Sequence, residues 1–130
     1  MERRTFVVIA AAVSLVVGLV DLITPAQLAA IYGITLDPVG AAEARLLGAA
    51  YLGYAAINWL ARDVREPETQ RALAVGNCGG WAISGVVSAA ALSGAVVGGL
   101  AWSVVIIDAI FALGWGYFAV ARPAEIRATA

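Results

Sequence analysis

The chain has 130 residues, 62% of them hydrophobic, and a mean hydropathy of +0.90; soluble domains are about 45–50% apolar, so this is the composition of a membrane protein. The formal charge is -1 and all eight basic residues are arginines, which leaves no basic tract for nucleic acid. One cysteine and no histidine exclude an intramolecular disulfide and supply no donor set for haem, zinc or copper, so neither a cofactor nor a metal is expected.

The first span is expected over residues 5–23. MERRTFVVIAAAVSLVVGLV has the basic flank of a signal peptide, but its apolar run of about 19 residues exceeds the usual ~7–15 and approaches the ~20 that cross a hydrocarbon core. It reads as a retained helix. In the following TPAQLAAIYGITLDPVG, Pro25 suits a first helical position, Leu28, Ile31 and Tyr32 share a face, and Gly33 suits a C-terminal cap. One or two turns of interfacial helix are expected there, after which Asp37-Pro38 offers an N-cap and a first-turn proline for a second span, 40–61.

The charged loop RDVREPETQR leads to a third span, 72–92, and the uncharged SGAVVGG leads to a fourth, 100–121. Short connections make neighbouring helices antiparallel. The expected fold is therefore all-α and polytopic: a single membrane domain over 1–130, built as a four-transmembrane-helix up-down bundle. Arg3, Arg4, Arg62, Arg65, Arg71, Arg122 and Arg127 then fall on the face carrying both termini, with Arg45 alone on the other. The positive-inside rule makes that face cytoplasmic and the location the inner membrane. Trp59, Tyr117 and Trp102 fall near the two interfaces, while the deeper Trp81 and Trp115 are expected to pack between helices.

Lipid tails are as apolar as leucine, so helices in a bilayer associate through close backbone approach and polar contacts. Ala72, Gly76, Gly80, Ser84 and Ser88 recur every four residues on the third span. Shorter small-residue rows are Ala10, Ser14 and Gly18 on the first, and Ala44 with Gly48 and Ala49 with Gly53 on the second. These rows either pack internally or face outward to build a homo-oligomer.

Counting about 1.5 Å of rise per residue places Asp108, Tyr51, Ser14 and Ser84 in one layer near the midplane. A carboxylate there is costly, by about 2.5–3.5 kcal/mol on insertion scales, and is expected to face the interior. Asp108 either ties the fourth span to a Ser or Tyr of another helix or lines a cavity as a proton or cation site. Nearer the outer face, Asp21 and Arg45 lie at comparable depth and are expected to pair, while Asn58 and Asn77 are placed to stitch the second and third spans by an amide contact. Cys78 has no activating neighbour and reads as a small core residue.

EARLLGAAYLGYAAINWLARD, followed later by RALAVGN, resembles small bacterial four-helix membrane proteins. It is more distantly similar to the four-helix scaffold family of sterol biosynthesis, in which an Arg followed by a Gly opens the second span, as Arg45 and Gly48 do here. That resemblance implies a non-catalytic scaffold or lipid-associated role. From the residues, three functions stand in order: a scaffold, accessory subunit or lipophilic-ligand binder whose partners are membrane lipid, copies of itself or another membrane protein; a small-solute carrier or channel coupled to protons or cations through Asp108; and a membrane enzyme with Asp108 as acid or base and Tyr51 beside it. The enzyme stands last because no nucleophile has an activating base.

Overall fold

The computed structural model describes residues 2–95 and 97–120; the expected end of the fourth span at residue 121, with Arg122 and Arg127, lies outside them. The described chain is all-α: α1 (Arg3–Ile23), α2 (Pro25–Ile31), α3 (Pro38–Ala61), α4 (Pro67–Ser93) and α5 (Trp102–Val120), with a 3-10 turn, Gly99–Ala101, leading into α5. Two compact units result. One comprises Met1–Asp63 with Ala95–Ala101, the other Val64–Gly94 with Trp102–Ala130.

In the first unit, the short helix expected after residue 23 is α2, and local chemistry sets its ends. Pro25 occupies the first turn. Gly33 takes φ 78°, a left-handed conformation open to glycine without strain. The Ile34 amide then donates to the Ala29 carbonyl at 2.9 Å and the Gly33 amide to Ala30 at 3.0 Å, which is the paired bonding of a Schellman cap. The Gly98 amide of the 95–101 segment donates to the Tyr32 carbonyl at 3.0 Å. Asp37 caps α3 as its position implied, its Oδ1 accepting from the Gly40 amide at 2.7 Å, with Pro38 in the first turn.

α1 and α3 pack antiparallel. Arg4 meets Asp63 near the start of α1, Val8 to Leu15 share a cleft with Trp59 to Leu52, and Gly18 faces Gly48. At the last point the backbones touch: a Cβ on Gly48 would lie 2.8 Å from both the Gly18 carbonyl oxygen and the Leu22 nitrogen. The row Ala10, Ser14, Gly18 is buried, as are Gly48, Ala55, Asn58 and Ala61 of α3. Of the two small-residue pairs on α3, Ala44–Gly48 therefore turns inward. Ala49 and Gly53 are exposed, and a side chain added at Gly53 would meet nothing.

In the second unit α4 and α5 form another antiparallel pair, with Cys78 against Ala112 and Gly116, Trp81 against Phe111, and Ser84 and Gly85 against Asp108. α4 starts at Pro67, earlier than residue 72, because the charged loop itself supplies a helix start: Thr69 Oγ1 donates to Glu66 Oε2, Gln70 Nε2 donates to the Val64 carbonyl at 2.8 Å, and Glu68 sits in the first turn, where the helix dipole favours an acid. The four-residue row expected to form one packing ridge does not. Ala72 and Gly76 are exposed, and a Cβ on Gly76 would meet nothing, while Gly80, Ser84 and Ser88 are half-buried. Four residues advance a helix about 400°, so a row at that spacing drifts about 40° per step and leaves the interface. The contacting face instead follows Asn77, Cys78, Trp81, Ser84 and Gly85.

Three helical segments are long and apolar enough to cross a membrane: α1 with 21 residues, α4 with 27, and the 22 residues Gly99–Val120. α3, with 24 residues, is not among them, its apolar run diluted by Arg45, Tyr51, Tyr54 and Asn58. Large apolar side chains are nonetheless exposed on all four long helices, among them Val16 and Ile23, Leu46 and Leu60, Ile83 and Val86, Ile110 and Leu113. Gly48→Ala is expected to lower stability by about 1–3 kcal/mol through backbone overlap, whereas Gly53→Ala and Gly76→Ala are expected to be neutral or slightly stabilising. Thermal unfolding of the three variants in detergent checks this; equal effects would show that Gly48 is not the point of closest approach.

Candidate functional site

Asp108 is 1% exposed. Two features of α4 receive it. Ser84 Oγ donates to its Oδ2 at 2.9 Å, and the missing side chain of Gly85 makes room for its Cβ, which a Cβ on that glycine would approach to 3.2 Å. Nearby the Trp81 and Phe111 rings stack with centroids 4.8 Å apart, and the Cys78 thiol donates to the Ala112 carbonyl at 3.3 Å. Trp81 and Trp115 are both buried, as their depth implied. Asp108 thus works as an interhelical tie within the α4–α5 pair, in the manner expected of polar side chains where hydrophobic burial cannot bind helices.

Of the other residues assigned to the midplane layer, Ser14 and Tyr51 belong to the first unit. Ser14 is 0% exposed and its Oγ has no hydrogen-bond partner among the described residues; Tyr51 is half-buried. Asn58 and Asn77 are both buried, the latter donating to the Leu73 carbonyl one turn back at 2.9 Å.

The expected Asp21–Arg45 ion pair is not formed. Asp21 is buried beside Gly48, its Cβ 3.0 Å from where a Cβ on that glycine would lie. Arg45 is exposed and donates instead to the Ala41 carbonyl of its own helix at 3.4 Å. The inward face of α3 runs through Ala44 and Gly48, and Arg45 lies one residue, about 100°, round from Ala44. Matching depth was not matching direction.

The cavity of the first unit lies elsewhere. Between α1 and α3 runs an apolar groove of about 520 Å³ lined by Val8, Ala11, Ala12 and Leu15 on one side and Leu52, Ala55, Ala56 and Trp59 on the other. Its existence follows from the packing. The helices touch at Gly18 and Gly48, and beyond Leu15 and Leu52 paired alanines on each helix are too short to fill the space between them. The wall along α1 extends about 10 Å. At the Val8–Trp59 end, the Arg62 guanidinium lies over the Trp59 ring, 4.3 Å from its centroid. Arg4 Nε and Arg62 Nε contact the two oxygens of Asp63 at 2.7 and 3.3 Å.

None of the groove residues was marked by sequence reasoning, which sought function in polar side chains. The available signal was the doublets Ala11-Ala12 and Ala55-Ala56, and it meant something only once the helix register set them opposite one another.

Ser84→Ala leaves a buried acceptor without its donor and is expected to cost about 1–3 kcal/mol, while Asp108→Asn retains an acceptor for Ser84 and is expected to stay close to the parent. Thermal unfolding in detergent decides it: a Ser84→Ala variant as stable as the parent would show that the bond does not hold the helix pair.

Set against known proteins, the chain matches no family model, no curated protein and no solved structure.

Proposed function

We propose that this protein is a non-catalytic membrane protein that crosses the bilayer four times and holds a lipid hydrocarbon chain in the groove between α1 and α3. The groove carries this proposal. Its volume of about 520 Å³ falls within the ~300–1,000 Å³ of ligand pockets, and its lining of aliphatic side chains and one indole offers nothing to a polar solute.

α3 as a fourth span is supported by its partner. α1 has the length and composition of a span, and α3 lies beside it from the Arg4–Asp63 contact to the Gly48–Leu22 contact, so the two share one depth. The polar groups of α3 suit such a position: Asn58 is buried, and Arg45, near one helix end, has the reach to extend its head toward the interface. α2 then lies at the outer interface, and the arginine distribution places both termini in the cytoplasm, in a cytoplasmic membrane.

A scaffold role is favoured by a separate observation. Gly53 and Gly76 present open small-residue surfaces of the kind that admit a partner helix or a second copy, and the family resemblance of the α3 segment implies the same. Transport or catalysis through Asp108 draws less support, because that carboxylate accepts from Ser84 in a close-packed position beside Gly85.

Two measurements test the proposal. On a Cys78→Ala background, single cysteines at Thr35 and Arg65, beyond the two ends of α3, are expected to label from opposite faces, Arg65→Cys from the cytoplasm; labelling from one face would exclude α3 as a span. The double variant Ala12→Leu with Ala56→Leu fills the groove and is expected to lose the lipid that the parent retains in native mass spectrometry, whereas Ala49→Leu, on the exposed side of α3, is expected to keep it. Retention by the filled variant would remove the groove as the binding site.

A further inference from the structure

We propose that the groove selects an anionic phospholipid, whose phosphate is held at the Val8–Trp59 end by Arg4 and Arg62; this deepens the proposal above and rests on the groove taking up a lipid chain at all. Cation and apolar wall are physically continuous there. Trp59 forms the end of the groove, and its ring carries the Arg62 guanidinium on one face at 4.3 Å. A chain lying along the alanines and reaching Trp59 therefore arrives at a positive charge within the next helical turn. Arg4, one turn beyond Val8 on α1, comes to the same place from the other helix.

Asp63 organises the pair. Its two oxygens take one Nε each, at 2.7 Å from Arg4 and 3.3 Å from Arg62, which fixes the two guanidiniums side by side. Each guanidinium has five N–H donors in a planar fork, so one contact to Asp63 leaves most of them available; Arg62 uses a further one on the Trp59 carbonyl. Arg4 and Asp63 are 66% and 57% exposed at the side chain, so the fork of Arg4 is accessible to a headgroup.

The charge balance favours an anion. Arg3 also interacts electrostatically with Asp63, which makes three guanidiniums facing one aspartate; counting the neighbouring Glu2 against them as well leaves an excess of positive charge. A phosphodiester matches the bidentate geometry of arginine better than a single point charge would. A zwitterionic choline headgroup would bring a cation of its own into this cluster, whereas a glycerol headgroup would not. The occupant is thus a diacyl lipid with one net negative charge, one chain in the groove and the phosphate on Arg4 and Arg62.

The test uses the full chain in neutral detergent, titrated separately with phosphatidylglycerol and with phosphatidylcholine of identical acyl chains and read by native mass spectrometry. The parent is expected to prefer phosphatidylglycerol by about fivefold or more, the effect of roughly one interfacial arginine. Arg4→Gln with Arg62→Gln is expected to bring the ratio close to one, and Arg4→Lys with Arg62→Lys to preserve most of the preference, which separates lost charge from lost folding. Equal retention of both lipids by the parent, or an unchanged preference in the Gln variant, would overturn the headgroup assignment. Loss of both lipids from the groove-filled Ala12→Leu, Ala56→Leu variant together with an unchanged preference in the Gln variant would reject the headgroup alone. Undiminished binding in the groove-filled variant would reject the groove and the headgroup together, as would a co-purifying polypeptide occupying the groove in place of lipid.

Discussion

At Gly18 and Gly48 two helix backbones come so close that one added methyl group would meet a carbonyl oxygen at 2.8 Å. In water, helices adhere by withdrawing apolar side chains from solvent. Among hydrocarbon chains that force is absent, and what remains is the dispersion and polar attraction of closely approaching chains. The glycine contact supplies this for α1 and α3, and other features of the first unit follow from it. It turns Ala44 and Gly48 of α3 inward and leaves Arg45 outside. It places Asp63 opposite Arg4, and it sets the alanine doublets of the two helices across an unfilled groove.

The α4–α5 pair meets the same constraint by other means. Gly85 yields space to Asp108 rather than to a backbone, Ser84 supplies a hydrogen bond, and Trp81 and Phe111 add a stacked ring contact. A carboxylate deep in an apolar helix is costly when it faces lipid. Enclosed between two helices and bonded to a hydroxyl, it becomes a specific link, because sliding one helix past the other by a single residue would part Ser84 from Asp108 while leaving the aliphatic contacts nearly as good. The buried polar group thus fixes register more than it adds adhesion.

The two devices also separate structural from ligand-binding roles. Asp108, the residue of most conspicuous chemistry, is occupied by its neighbours. The open space of the first unit lies where the chemistry is plainest, among alanines, with charge gathered only at its rim on Arg4, Arg62 and Asp63. A groove bounded by a backbone contact at one end and an arginine-capped indole at the other offers a hydrocarbon chain a place of limited length and its headgroup a defined partner.

The sequence by itself determined the all-α architecture, the positions of α1, α4 and α5 as candidate spans, the caps of α2 and α3, and the burial of Asp108, Trp81 and Trp115. Each of these depends on interactions within a turn or two of the residue concerned, or on the balance between apolar and polar side chains over one helix length, and both are local. Only the tertiary structure decided which face of each helix meets its neighbour. It turned Arg45 away from Asp21 although the two were matched in depth, left Gly76 outside a row that seemed continuous, and opened the groove between Ala11-Ala12 and Ala55-Ala56. The reason is angular. An error of one residue in register rotates a side chain by about 100°, and that register is set by contacts between helices far apart in sequence, here by the fit of one glycine backbone against another.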